Sequence, residues 1–450
     1  MNLILPLRYH TINSPRIVIN LLFDLAKNLI LPNCYLFVTL MLPDSTLLKW
    51  ILYIWTLSFL PAMGVKMASA QTNPGEFRFS FYGDSIDLQS NTDFEIPFSG
   101  TPSAAAIKEF YQKIDASSYQ GLVSSLCQYK ERYKLDDWLF YQLIRQTAQH
   151  LSPKGENYIR YTLYKWFLLS KTGYNAMLTV SGDKILFYVQ SDEMVYNIPY
   201  RMKDGKQFVC LNYHDYGSNI DFDKNRFSEI GIAVPEAKKG FTYKITRLPD
   251  FVPADYTEKD IQFDYYQQHY DFKVKLNADI KKIFANYPVV DYSYYFNIPL
   301  SKETYESLIP ELRKTVKDMT VKNGVDYLMR FTRYAFLFKP DTEAFGGEKR
   351  MSPEQTLLFD ESDCDDRSAL FFYLVKEIYN LPMIVLNYPN HVTVAVEFDK
   401  PIGNPIVYNG KKYYVCEPTP QRTDLPIGKL LPQLKKEPYE VAYEYNPLTH

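Results

Sequence analysis

The sequence predicts an α+β protein whose C-terminal half packs a helix on an antiparallel sheet. Apolar residues recur at helical spacing from 366 to 381, and apolar and polar residues alternate from 391 to 398 as in a half-buried strand. Cys364, His391 and Glu417 each stand where one of the predicted elements begins or ends. A thiol, an imidazole and a carboxylate in that order are the parts of a thiol acyl-transfer site.

Composition places the chain among globular proteins. It has 450 residues, of which 46% are hydrophobic and 16% aromatic, so two domains are expected rather than one. The net charge of −2 gives no reason to expect a nucleic-acid partner. We expect a protein or peptide substrate, and neither a cofactor nor a metal.

The first 70 residues indicate export. Leu47 to Val65 is nearly all apolar, and Ala68-Ser69-Ala70 resembles a cleavage site before Gln71. We therefore predict a signal peptide with an upstream extension over residues 1–70, and a periplasmic or secreted mature protein. The alternative is a membrane anchor at residues 47–65, which would be the chain's only membrane contact.

Beyond residue 70 we expect an N-terminal α+β domain at 71–250 and a catalytic domain at 251–450. A polar, proline-containing stretch from 221 to 260 places the boundary. A long loop is predicted from 338 to 359. Helices are predicted at 104–114, 137–150, 161–171, 301–319 and 324–336, and strands at 177–180, 184–190 and 207–212.

The two halves show a loose parallel. In both, an apolar helix leads into a strand, a turn and a second apolar strand, and Asp204-Gly205 parallels Asn409-Gly410. Lys184 falls where His391 stands, and no cysteine lies near Ile159. The N-terminal half is either a degenerate, catalyst-free copy or a coincidence of two α+β patterns.

The chemistry of the cysteine depends on its position. Ser362 or Asp363 can cap the helix, which leaves Cys364 at an N-terminus where the helix dipole favours a thiolate. The neighbouring carboxylates act in the opposite sense. We expect His391 as imidazolium and Arg367 to offset them, and Asp365 and Asp366 to face solvent or accept hydrogen bonds from the loop.

The other two members are predicted to meet across strands. His391 heads one alternating strand, and Glu417 closes a second that runs from Tyr413. If these strands are neighbours, the carboxylate can set the tautomer and orientation of the imidazole.

With these residues in view, the stretch from Gly324 to Gly428 resembles the transglutaminase-like superfamily, which is related to papain. The resemblance rests on Pro353-Glu354-Gln355-Thr356-Leu357, the Asp-Cys-Asp-Asp box at 363–366, the His391 strand and Glu417-Pro418-Thr419. It implies a papain-like core with a triad of Cys364, His391 and Glu417. The usual third member is Asp, so Glu417 is a departure. The chain beyond residue 70 also resembles exported bacterial proteins that carry this domain.

Two classes of function follow. The first is a thiol hydrolase or acyltransferase that acts on peptide, amide or isopeptide bonds outside the cytoplasm. The second is a binding or assembly protein on the same scaffold, because the superfamily includes inactive members.

Overall fold

The computed structural model describes residues 76–89, 92–222, 224–344 and 349–447. The predicted signal peptide or anchor over residues 1–70 lies outside these residues. Residues 72–450 form one compact unit. Across the described segments, no helix has both the length and the apolar character needed to cross a bilayer.

The fold is mixed α+β, as predicted. The helices are α1 (Ala104–Asp115), α2 (Gln120–Tyr133), α3 (Asp137–Leu151), α4 (Tyr158–Lys171), α5 (Asp279–Phe284), α6 (Tyr292–Tyr295), α7 (Lys302–Val316), α8 (Val321–Tyr334), α9 (Asp341–Ala344), α10 (Pro353–Leu358) and α11 (Cys364–Tyr379). The strands are β1 (Glu76–Phe81), β2 (Asp84–Gln89), β3 (Ala176–Ser181), β4 (Lys184–Gln190), β5 (Tyr200–Lys203), β6 (Lys206–Cys210), β7 (Ser228–Glu229), β8 (Tyr256–Tyr265), β9 (Gln268–Asn277), β10 (Leu337–Phe338), β11 (Glu361–Ser362), β12 (Met383–Tyr388), β13 (His391–Glu397), β14 (Ile406–Tyr408), β15 (Lys411–Cys416) and β16 (Glu440–Tyr445).

The five helices predicted from apolar spacing are confirmed as α1, α3, α4, α7 and α8, with ends that differ by a few residues. The long loop predicted from 338 to 359 is wrong in part. Ser352 and Gln355 form a reciprocal capping box that starts α10, and Asp341 begins α9. The ten-residue strands of the β8–β9 hairpin were not predicted.

Two five-stranded sheets share one topology. The strand order is β5-β6-β4-β3-β7 in the first sheet and β14-β15-β13-β12-β16 in the second. When β3 to β7 are matched in chain order with β12 to β16, the two strand orders are identical. Every neighbouring pair of strands in both sheets is antiparallel. Each sheet also follows a helix that packs on it, α4 in the first half and α11 in the second.

The strand pairing shows which single residues are equivalent in the two sheets. Lys184 pairs with Ser181 across one hairpin turn, and His391 pairs with Tyr388 across the other. Lys184 therefore does stand where His391 stands. In the β5–β6 and β14–β15 hairpins, Lys206 and Lys411 hold equivalent positions, because each is the first residue of its second strand.

Helix α11 positions the site at its N-terminus. Asp363 is the N-cap, and its side chain accepts hydrogen bonds from the amides of Asp365 (3.2 Å) and Asp366 (3.5 Å). On one face of the second sheet, Val392 and Val394 join the main core together with the buried residues of α11. The opposite face packs in a separate cluster with Leu431 and Leu434.

Candidate active site

The thiol of Cys364 lies where the helix start meets the head of a strand. Cys364 is the first residue of α11 and is only partly buried. The backbone amide of Val392, the residue after His391, interacts with its sulfur. The Ser368 hydroxyl, one turn along α11, donates to the Val392 carbonyl at 3.1 Å and fixes this approach of helix and strand.

The surroundings of the Cys364 sulfur disfavour the thiolate. Burial raises the pKa of Cys364 most, and the charges of Asp365, Asp363 and Glu417 raise it further, while the Val392 amide lowers it. The helix N-terminus was expected to favour a thiolate, whereas burial and the three carboxylates act on the pKa of Cys364 in the opposite sense. The dipole acts through the same few amides that Asp363 already caps.

Arg367 makes its hydrogen bonds to backbone carbonyls. Its guanidinium is fully buried and donates to the carbonyls of Thr332, Arg333 and Phe336 at 2.8–2.9 Å, at and just after the end of α8. Its charge also interacts with Asp366, Asp363 and Cys364. Burial lowers the pKa of Arg367 to about 10.

The acidic residues that follow the cysteine are inside the protein. Asp365 and Asp366 are 4% and 0% exposed, so the expectation that they face solvent is wrong. Asp366 accepts from the amides of Met351 (2.8 Å) and Asp363 (3.3 Å), as the hydrogen-bonding alternative expected. Burial raises the pKa of Asp366 well above its ordinary value, which favours the protonated carboxyl.

The oxygens of Asp341, Asp363 and Asp366 lie close enough together to hold a cation, and so do the ligand atoms of Asp363, Cys364 and Asp365. Carboxylate oxygens suit hard divalent ions. Asp363 and Asp366 already have structural roles as helix cap and as acceptor of backbone amides. These roles explain the cluster without an ion.

His391 and Glu417 meet directly. The Nε2 atom of His391 and the Oε2 atom of Glu417 are 2.8 Å apart, and their side chains are 12% and 1% exposed. β13 and β15 are neighbours, as the strand argument required. With Nε2–H donated to the carboxylate, the neutral imidazole carries its lone pair on Nδ1. Nδ1 is then the atom available to accept the thiol proton.

Glu417 is fixed from several directions. Its other carboxylate oxygen, Oε1, accepts from the Thr419 amide at 2.9 Å. Its carbonyl accepts from Arg333 Nε at 3.0 Å, and Arg333 itself pairs with Asp424. Arg333 and Asp424 were not predicted from the sequence, because nothing in an amphipathic helix marks one arginine as buried.

Two members of the predicted trio, His391 and Glu417, are joined by a hydrogen bond. The third, Cys364, lies beside the Val392 amide, and the charge of Glu417 raises the pKa of its thiol. Within the described part of the chain, no hydrogen bond joins the Cys364 sulfur to the His391 ring. Catalytic hydrogen bonds of free enzymes are often long and shorten when substrate binds.

The matching corner of the first sheet carries other residues. Tyr158 begins α4 as Cys364 begins α11, and Lys184 replaces His391. Asn212 lies as far past Lys206 as Glu417 lies past Lys411. The parallel between Asp204-Gly205 and Asn409-Gly410 gives the same match.

No family model matches the sequence, and neither a curated protein nor a solved structure matches the chain at a significant level.

Proposed function

We propose that the protein is a thiol-dependent acyltransferase or hydrolase that acts on peptide, amide or isopeptide bonds through Cys364, His391 and Glu417. The hydrogen bond of 2.8 Å between His391 and Glu417, beside a cysteine at a helix N-terminus, carries the proposal. The resemblance to transglutaminase-like proteins supports it, since it assigns the same three residues. On this proposal the second sheet and α11 are a papain-like or transglutaminase-like core.

The raised thiol pKa decides how the first step runs. The Cys364 sulfur attacks the substrate carbonyl while its proton passes to Nδ1 of His391, because a thiolate formed earlier would be unfavourable among carboxylates. Glu417 stabilises the imidazolium that forms. The imidazolium then protonates the leaving amine as the carbon–nitrogen bond breaks. Water or an amine finally attacks the thioester and loses its proton to His391. The imidazolium returns that proton to the Cys364 sulfur as the carbon–sulfur bond breaks.

An activated ester tests the proposal without knowledge of the substrate. Incubation with p-nitrophenyl acetate should add one acetyl group to Cys364, seen by intact mass and peptide mapping, and should release p-nitrophenol in a burst. Cys364→Ala should abolish both signals. Cys127→Ala is the matched control, because Cys127 is also partly buried but lies on α2. Acetylation of Cys127 instead, or a burst that survives Cys364→Ala, contradicts the proposal.

A second candidate is a non-catalytic binding or assembly protein. The raised pKa of Cys364 and the missing hydrogen bond between its sulfur and His391 favour it. This candidate predicts a folded protein that forms no acyl adduct at Cys364. It also predicts no burst of p-nitrophenol above spontaneous hydrolysis between about pH 6 and 9, the range in which His and thiol chemistry operate.

We also propose that the protein acts outside the cytoplasm, in the periplasm or after secretion. The apolar run from Leu47 to Val65 and Ala68-Ser69-Ala70 support export. N-terminal sequencing of the protein from expressing cells should find a chain that begins near Gln71. An intact Met1 or Met41 terminus in the membrane fraction would support the anchor at residues 47–65 instead.

A further inference from the structure

The two-stranded ribbon that leads into the candidate active site has an open edge. β10 pairs in parallel with β11, and its last residue, Phe338, stands opposite Ser362, two positions before Cys364. The Arg367 guanidinium lies 6.0 Å from the centre of the Phe338 ring, and its charge also interacts with Cys364. Phe338 therefore lies at the same end of α11 as the candidate nucleophile.

The main chain of Phe338 has a donor and an acceptor that β11 does not use. The Leu337 amide donates to the Asp360 carbonyl at 2.9 Å, and the Lys339 amide donates to the Ser362 carbonyl at 3.2 Å. Because alternate residues of a parallel strand bond to the neighbouring strand, the amide and the carbonyl of Phe338 point to the outer edge. Neither group makes a hydrogen bond to any residue that the structure describes. Unpaired groups of this kind are a template for another extended chain.

The side chains at this edge are apolar and exposed. Leu337 is 67% exposed and Phe338 is 50% exposed, and Tyr334, at the end of α8, is 42% exposed. Edge strands commonly carry charged side chains that prevent association. Both residues of β10 are instead large and apolar, so this edge favours a partner that can cover them.

The charges beside β10 are paired within the protein. Lys339 Nζ lies 3.0 Å from a carboxylate oxygen of Glu361, and Lys259 Nζ lies 2.8 Å from one of Asp360. These pairs leave the recognition of a partner to main-chain hydrogen bonds and apolar side chains, which is how an added β-strand is bound.

We propose that β10 binds an extended, apolar polypeptide segment as an added strand, and that this segment belongs to the substrate of Cys364. The substrate is then a protein or a peptide of several residues rather than a small amide. Strands lie about 4.8 Å apart, so the added strand is about 10 Å from β11, and three or four extended residues of about 3.3 Å each span that distance. The assignment of the segment to a substrate rests on the proposed function, whereas binding at β10 does not depend on it.

A protein that cannot react separates binding from catalysis. Isothermal titration of the full chain carrying Cys364→Ala should show the acetylated peptide amide Gly-Val-Leu-Val-Gly binding at least about tenfold more tightly than Gly-Ser-Ser-Ser-Gly, because its apolar side chains leave water. N-methylation of the leucine, or of the valine after it, should weaken binding at one of these two positions and spare the other. The reason is that successive amides of a strand point to opposite sides.

A variant of β10 tests the place of binding. In the same Cys364→Ala background, Phe338→Ala should weaken Gly-Val-Leu-Val-Gly about threefold to tenfold, since it removes apolar contact area. Val407→Ala is the matched control, because Val407 is 65% exposed on β14, which is also an edge strand. No binding, equal binding of the apolar and serine peptides, equal effects of the two N-methyl groups, or equal loss in Phe338→Ala and Val407→Ala overturns the proposal.

The proposed function can fail separately from this inference. Peptide binding at β10, together with a Cys364 that p-nitrophenyl acetate does not acylate, supports the binding site and contradicts only the proposed function. Acylation of Cys364 without peptide binding has the opposite meaning, because it overturns this inference and leaves the proposed function intact.

Discussion

Each sheet has three residues at the same corner, and their roles differ. They are Tyr158, Lys184 and Asn212 at the first sheet, and Cys364, His391 and Glu417 at the second. In the second sheet, Glu417 uses one oxygen for the Thr419 amide and the other for His391. His391 remains partly exposed at the head of its strand. The corner thus presents a polarised imidazole at the surface, next to a cysteine.

In the first sheet, the equivalent residue turns inward. The Asn212 amide is fully buried, accepts from the Phe187 amide at 2.8 Å, and donates to the Ile185 carbonyl at 2.9 Å and the Tyr158 hydroxyl at 2.8 Å. Its hydrogen-bonding capacity serves the sheet and the start of α4. The same backbone arrangement therefore holds a candidate reactive trio in the second sheet and a buried structural hydrogen-bond network around Asn212 in the first. The side chains make the difference.

His391→Ala should have the largest effect on this contrast. It removes the base and leaves the Glu417 carboxylate buried without the imidazole that it hydrogen-bonds, so acylation of Cys364 by p-nitrophenyl acetate should fall by roughly 10²–10⁴-fold. Burst kinetics measure the loss, and thermal unfolding checks the fold. Full acylation in a folded His391→Ala protein would show that the imidazole is not the base.

Changing Glu417 should have the next largest effect. Glu417→Gln keeps the shape but no longer stabilises an imidazolium, and a loss of about 10²-fold is expected. Glu417→Asp keeps the charge but is one methylene shorter, so it cannot reach both His391 Nε2 and the Thr419 amide as placed. About tenfold loss is expected. An Asp variant as active as the wild type would mean that the backbone is set for the family's usual Asp.

Asn212→Ala should act on stability rather than on acylation. It leaves the Phe187 amide without its acceptor and removes one hydrogen bond each from the Ile185 carbonyl and the Tyr158 hydroxyl, which keep Tyr216 and Asp215 as partners. The free energy of unfolding should therefore fall by about 1–3 kcal/mol. Urea unfolding measures this loss. Glu417→Gln should lower the free energy of unfolding by less than Asn212→Ala does. The reverse order would show that the second sheet depends more on Glu417 for stability than the first sheet depends on Asn212.

Asp365→Asn should shift the reactivity of the thiol. After burial, the Asp365 charge is the largest influence that raises the pKa of Cys364, so its removal should lower the apparent pKa of this thiol. The rate of iodoacetamide labelling at Cys364 should then rise at a lower pH than in the wild type. Asp360→Asn is the control, since Asp360 is exposed and paired with Lys259. An identical shift in both variants would point to a general surface-charge effect.

Much of this contrast could be predicted from the sequence. Apolar spacing after Cys364 and alternation after His391 predicted the helix and the strand, and the strands predicted at 177–180 and 184–190 form the matching hairpin. Patterns of this kind report local periodicity, which is a property of neighbouring residues.

Other features depend on tertiary contacts that no local pattern records. Arg367 binds carbonyls of α8, more than thirty positions earlier in the chain. Asp366 is buried because the segment before α10 folds over the start of α11 and directs the Met351 amide at it. Burial, which raises the pKa of Cys364 most, likewise could not be predicted from the local pattern.

Lys184 offers the smallest expected effect and the sharpest control for the comparison. It holds the register position of His391, but its ammonium pairs with the exposed Asp183, and the residue that begins its helix is Tyr158 rather than a cysteine. Lys184→Ala should change the acylation burst by less than about twofold and the free energy of unfolding by less than about 0.5 kcal/mol, as for an ordinary surface residue. Lys184→His should not create a second acylation site, because a phenol with a pKa raised by burial is a poor nucleophile. Peptide mapping after p-nitrophenyl acetate treatment measures both outcomes. An acetyl group on Tyr158 in Lys184→His would show that the corner of the first sheet needs only a base to become reactive. A single substitution would then be enough to convert its structural role into a reactive one.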